Sequence, residues 1–161
     1  MFKLTLTSFV APQAIIPQLK AVERDAVIAE LVDAVVAAGA VPAEIRGELL
    51  TRVLEREKRG STGFGKGVAV PHVKHRQISK MTAAIGVSAR GVEFNALDKQ
   101  PVFSVVLLLS PEDRPEEHLQ AMEVIFKNLS KDTFRRFLRQ ATTVDQIRTL
   151  LEESDGNHLV G

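Results

Sequence analysis

Residues 102 to 109 read Val-Phe-Ser-Val-Val-Leu-Leu-Leu, with no charge anywhere in the run. A strand with one wet face alternates apolar and polar residues. This near-continuous apolar run instead fits a strand buried on both faces. Such a strand needs cover above and below its sheet, and the flanking sequence supplies helices. From Glu23 to Ala38, the residues Val27, Ile28, Leu31, Val32, Val35 and Val36 recur at helical spacing until Gly39. Pro42 opens a second helix with Ile45, Leu49, Leu50, Val53 and Leu54 on one face. Arg56, Lys58 and Arg59 suit the negative end of its dipole, and Gly60 closes it. After Pro115, a stripe of Leu119, Met122, Ile125, Phe126 and Leu129 predicts a third helix. Phe134, Phe137 and Leu138 mark a shorter one. Thr143-Val-Asp-Gln146 matches a capping box and opens the last, through Leu151. Val68 to Val70 and Ala83 to Ser88 read as further strands. The expectation is a single-domain α/β protein, a mixed β-sheet with helices packed on both faces. Its core spans about residues 10–153 of the 161, and residues 154–161 form a loose tail.

Composition removes several function classes. There is no Cys, so disulfides, thiolate zinc sites and Cys nucleophiles are out. A formal net charge of +1 gives no broad field for nucleic acid or an anionic membrane, and no Tyr or Trp offers a base-stacking platform. No apolar run reaches the roughly 18 residues of a membrane span, and Met1 to Val10 lacks the apolar stretch of a signal peptide. The chain is expected to be cytoplasmic and not inserted in a membrane.

The chemistry-bearing segment is Gly60-Ser-Thr-Gly-Phe-Gly-Lys-Gly67, followed by Val-Ala-Val-Pro-His72. Gly60 to Lys66 fits the first seven positions of a Walker A loop, but the eighth, which holds magnesium, is Gly67. The segment also follows a helix and opens a strand, the reverse of that motif's setting. The dinucleotide fingerprint fails as well. His75, three residues after His72, has a spacing found in some metal sites. In an extended segment, however, the two rings point to opposite faces, and no metal is expected. His158 lies in the tail. Glu112, Asp113, Glu116 and Glu117 read as a helix N-terminus.

The segment from Gly60 to His72 closely resembles the phosphorylation-site signature of the mannitol/fructose-type IIA domains of the bacterial phosphoenolpyruvate-dependent phosphotransferase system. The resemblance extends over about residues 10 to 153 and is greatest to the stand-alone nitrogen-regulatory IIA proteins. It implies that His72 is the phosphorylated histidine, that Arg56 is the active-site arginine and that His118 is the second active-site histidine. It also implies phosphoryl transfer from an HPr-like protein, without a cofactor. One departure is Val73, where many members have Gly.

Imidazole suits this role because its ordinary pKa near ~6.5 leaves much of it neutral and nucleophilic. Gly63, Gly65 and Gly67 are expected to let backbone N–H groups approach the phosphoryl oxygens, and Arg56 to add a planar charged fork. The group then passes to a IIB-type domain or stays and changes which regulatory partner binds. A sugar-specific IIA component is one alternative. A second is a docking module that regulates a kinase or transporter with little flux through His72. A metal-dependent hydrolase is the distant third.

Overall fold

The computed structural model describes residues 4–156. In chain order the elements are α1 (Leu6–Phe9), β1 (Val10–Ile16), α2 (Arg24–Ala37), a 3-10 turn (Ala43–Ile45), α3 (Arg46–Arg59), β2 (Gly63–Gly65), β3 (Val68–Ala69), β4 (His72–His75), β5 (Thr82–Val92), β6 (Val102–Pro111), α4 (Pro115–Leu129), α5 (Asp132–Gln140) and α6 (Val144–Asp155). The sheet runs β1-β5-β6-β3-β2, and β4 also pairs with β6. β5 is antiparallel to β6, whereas β1 with β5, and β3 and β4 with β6, are parallel. The sheet is therefore mixed.

β6 is the apolar run, and its side chains divide between two cores. Val105, Leu107 and Leu109 meet α2 and α3 through Val27, Leu31, Leu49 and Val53. Val106 and Leu108 meet the other helices through Ile125, Leu129, Leu138 and Ile147. The period of two along the strand thus produces a helix–sheet–helix sandwich.

β3 and β4 lie end to end against β6 in one unbroken register, with Val68 beside Ser104 and His72 beside Leu108. Pro71 separates them because it has no N–H to give the ladder. Its carbonyl still accepts from Leu108 N–H at 3.0 Å.

Several elements depart from the sequence reading. Within residues 60–67, where no strand was read, Gly63–Gly65 forms β2 and folds back antiparallel on β3. β1 was masked by Pro12, which is tolerated because this is an edge strand with a register shift between Val10 and Ile15. The buried face of α4 is His118, Ala121, Ile125, Asn128 and Leu129, so Leu119 and Phe126 point outward. Phe137 is likewise exposed.

At the start of α6, Thr143 accepts from Gln146 N–H at 3.1 Å, while Gln146 reaches Thr142 N–H at 2.7 Å. α6 runs past Leu151 to Asp155, whose carboxylate accepts from Leu6 N–H at 2.8 Å and Thr7 N–H at 3.0 Å. Asp155 therefore ties α6 to α1. The remainder of the expected tail, Asn157 to Gly161 with His158, lies outside the described residues.

Leu107→Ala removes a fully buried side chain from β6 and should cost about 2–5 kcal/mol in denaturant unfolding. Leu97→Ala, at a site 66% exposed, should change stability by less than about 0.5 kcal/mol.

Candidate functional site

The Val70 carbonyl lies 2.8 Å from His72 Nδ1. A carbonyl only accepts, so Nδ1 carries the ring proton and Nε2 keeps its lone pair. His72 is half-buried and lines a cavity of about 640 Å³ with Arg52, Glu55, Arg56, Arg59, Val73, Lys74 and His118.

His118 sits in the first turn of α4, with its ring centroid 5.6 Å from that of His72. It is buried, and its Nδ1 is 2.6 Å from Ser110 Oγ at the end of β6. That hydroxyl also lies 2.9 Å from Met81 Sδ. Ser110 Oγ thus ties the His118 ring to the end of β6 and to Met81.

Burial pushes the His72 pKa below its ordinary value, and Arg56 and Lys74 add to the shift. The Val70 carbonyl and the Glu57 carboxylate oppose it. Burial also lowers His118, with help from His72 and Lys74, to about 4. Both rings are therefore held toward the neutral form near pH 7.

Four cations face one carboxylate across this cavity. Arg56 Nη1 donates to the Gly60 carbonyl at 2.7 Å, so Arg56 caps its own helix while lining the cavity. Arg52, four residues earlier, pairs with Glu48 at 3.1 Å and donates to the Lys74 carbonyl at 3.2 Å. Arg59 lies three residues after Arg56. The positions 52, 56 and 59 share one helical face, a spacing visible in the sequence that singling out Arg56 passed over. No comparable signal points to Ser110, which reaches His118 only because β6 ends beside α4. Glu57 was also missed. It is 2% exposed, accepts from the Thr62 hydroxyl and lies 3.2 Å from Thr62 N.

The glycines have a different place from the one expected. Gly63, Gly65 and Gly67 do not line the His72 cavity. Gly63 N–H bonds to Ser61 Oγ at 3.0 Å, and a Cβ there would lie 2.8 Å from Ala96 Cβ. Gly67, at φ +76°, turns the hairpin at the opposite end of β3. These glycines permit close backbone packing rather than reaching the cavity around the histidine. Val73 lines that cavity and packs against the α2–α3 core. His75 is buried on the other side of β4. Its Nδ1 accepts from Gln77 N–H at 3.0 Å, and its Nε2 lies 3.3 Å from Glu48. It forms no metal pair with His72. Among the described residues, no group of three or more His, Asp and Glu is arranged to hold a metal, and no helix is long and apolar enough to cross a membrane.

Comparison with known proteins agrees with this arrangement of elements. The family model for the phosphoenolpyruvate-dependent sugar phosphotransferase system, EIIA 2, matches residues 8–154, and the chain belongs to that family. A nitrogen regulatory protein of Bradyrhizobium diazoefficiens is 33% identical over 150 residues, covering 91% of this chain and 94% of that one. A fructose-specific EIIA component of Haloferax volcanii is 33% identical over 130 residues, covering 81% and 83%. The crystal structure of the nitrogen regulatory protein IIA-Ntr from Neisseria meningitidis superposes with a TM-score of 0.79 at 25% identity. That match covers 89% of this chain and 97% of the other.

The depressed histidines have a sign. Below the ordinary value of 6.5 the unfolded chain takes up protons that the folded chain refuses. Stability should therefore be complete above about pH 6.5 and fall as pH drops toward about 4, where His118 protonates. Proton NMR should show His118 titrating near 4, and urea unfolding of His118→Asn should depend less on pH in this window. A His118 midpoint at or above 6.5 would contradict the burial described.

Proposed function

We propose that this chain is a phosphocarrier that accepts a phosphoryl group on His72 Nε2 from a phosphohistidine of an HPr-like protein. The observation that carries this reading is the 2.8 Å contact between His72 Nδ1 and the Val70 carbonyl. It commits Nδ1 to a proton and leaves Nε2 as the nucleophile, in a cavity rich in cations. The lone pair of Nε2 forms the new N–P bond as the donor's N–P bond breaks, and the donor ring keeps that electron pair. Nδ1 retains its proton throughout, so the positive charge that develops on the ring is met by the Val70 carbonyl.

The reaction exchanges one phosphohistidine for another, so positioning and charge neutralisation do most of the work. Arg56 is anchored at Gly60 through one nitrogen, and its remaining N–H groups supply charge-assisted bonds to phosphoryl oxygens. His118, its ring centroid 5.6 Å from that of His72, places a second imidazole beside the same group. Neutral His72 is the competent form, and its lowered pKa keeps that form dominant near pH 7.

The fate of the group is regulatory in this reading, in a cytoplasmic protein. A nitrogen regulatory relative aligns at 33% identity over 91% of this chain, and the nitrogen regulatory protein IIA-Ntr superposes over 89% of it with a TM-score of 0.79. Phe64 and Phe126 pack at 4.9 Å and are both partly exposed, and Leu119 follows His118 with 62% exposure. These apolar side chains give a partner something to grip. Onward transfer to a IIB-type domain uses the same exposed nitrogen in reverse.

Incubation with phosphoenolpyruvate, enzyme I and HPr should add one acid-labile phosphoryl group by intact mass, and His72→Ala should abolish it. Label that persists in the Ala variant would place the chemistry elsewhere. Acid-stable label would indicate a hydroxyl ester.

Arg56→Gln should leave the melting curve almost unchanged but remove a charge-assisted contact of ~1.5–3 kcal/mol. Transfer from phospho-HPr should then slow about ten- to hundredfold. Arg56→Lys should rescue only part, since a point charge lacks the planar fork. Normal transfer by a folded Gln variant would leave Arg56 as a helix cap alone.

A further inference from the structure

A second cavity, of about 800 Å³, opens at the opposite end of β3. Its lining includes Lys66, Gly67, Phe103, Arg135, Arg136 and Arg139. Gly67 lies beside Phe103 and His72 beside Leu108. Five strand residues separate these points on β6, which is about 16 Å. The cavity is therefore separate from the His72 site.

Four cations meet two carboxylates here, Asp98 and Asp132. Asp132 pairs with Arg135, whose Nη1 is also fixed by the Leu129 carbonyl at 2.8 Å. Asp98 is turned to its own loop, accepting from Gln100 N–H at 3.1 Å. Lys66, Arg136 and Arg139 have no carboxylate partner among the described residues. Like charges gathered without counter-charge repel, unless an anion joins them.

One guanidinium and one turn of this lining are also held in place. The Arg139 guanidinium lies over the Phe103 ring, 3.5 Å from its centroid. Lys66 and Gly67 occupy a left-handed turn pinned by the Gly67 carbonyl, which accepts from Phe103 N–H at 2.8 Å and Ser104 N–H at 3.2 Å. A guanidinium fork held by packing, as that of Arg139 is, matches phosphate oxygens in pairs. The volume lies in the range of small-molecule sites.

We propose that this cavity binds a small metabolite carrying two or more phosphate groups, whose charge Lys66, Arg136 and Arg139 neutralise. The proposal rests on these residues and not on transfer at His72. Inorganic pyrophosphate is the probe, titrated into the full 15N-labelled chain at constant ionic strength. Amide shifts should saturate at Lys66, Gly67 and Arg135 to Gln140. Arg136→Gln should weaken binding at least tenfold, and Arg56→Gln should leave it unchanged. Lys66→Asn, which tolerates the left-handed backbone, should also weaken it and serves if the Arg136 variant misfolds. Shifts reproduced by chloride, saturation confined to residues around His72, or full affinity in both folded variants would each overturn the proposal. So would saturable binding of a poly-glutamate peptide without binding of pyrophosphate, since the surface would then serve an acidic protein.

Discussion

The hydrogen bond between the Val70 carbonyl and His72 Nδ1 is the contact on which the site depends. Pro71 turns its carbonyl to Leu108 N–H of β6, so Val70 presents its own groups to the opposite flank, where its N–H donates to the Thr62 carbonyl at 3.2 Å. The Val70 carbonyl is left within reach of the ring two residues later, while β6 holds the chain on both sides of Pro71 in one register. The tautomer of His72, and with it the nitrogen that faces the cavity, follows from that local geometry.

Around this bond the fold gathers charge from one side and polarity from the other. α3 brings Arg52, Arg56 and Arg59 on one face, and α4 brings His118 in its first turn. Because α3 belongs to one core and α4 to the other, the site lies where the two layers meet at an end of the sheet. Neither layer alone carries it. Ser110 at the end of β6 is the link, since its hydroxyl holds the His118 ring from the central strand.

Much of this was legible in the sequence where a repeating pattern carried the signal. The Val102–Leu109 run and the periodicities of α2 and α3 reported buried faces, and the structure places them there. The reading of α4 failed in rotation rather than existence. Leu119 and Phe126 are apolar yet exposed, and hydrophobicity alone cannot separate a core face from a docking face. β1 was hidden by Pro12, which local propensity counts against a strand and an edge position forgives. The glycines were assigned to phosphate contact because glycine permits close approach. What Gly63 approaches is the neighbouring Ala96, a contact between residues far apart in the chain. The resemblance singles out His72, Arg56 and His118, and the structure places all three around one cavity. Ser110 and Glu57 needed the tertiary arrangement.

The margins of the sheet bear on how another molecule can attach. β1 ends one side and carries Pro12, so its outer row of donors is broken. β2 ends the other and is only three residues long. The free flank of β4 is blocked where Arg52 takes the Lys74 carbonyl. None of these borders offers a long template for an added strand. A visiting protein must therefore engage side chains rather than zip onto the backbone. Such an encounter forms and dissolves without rebuilding a ladder.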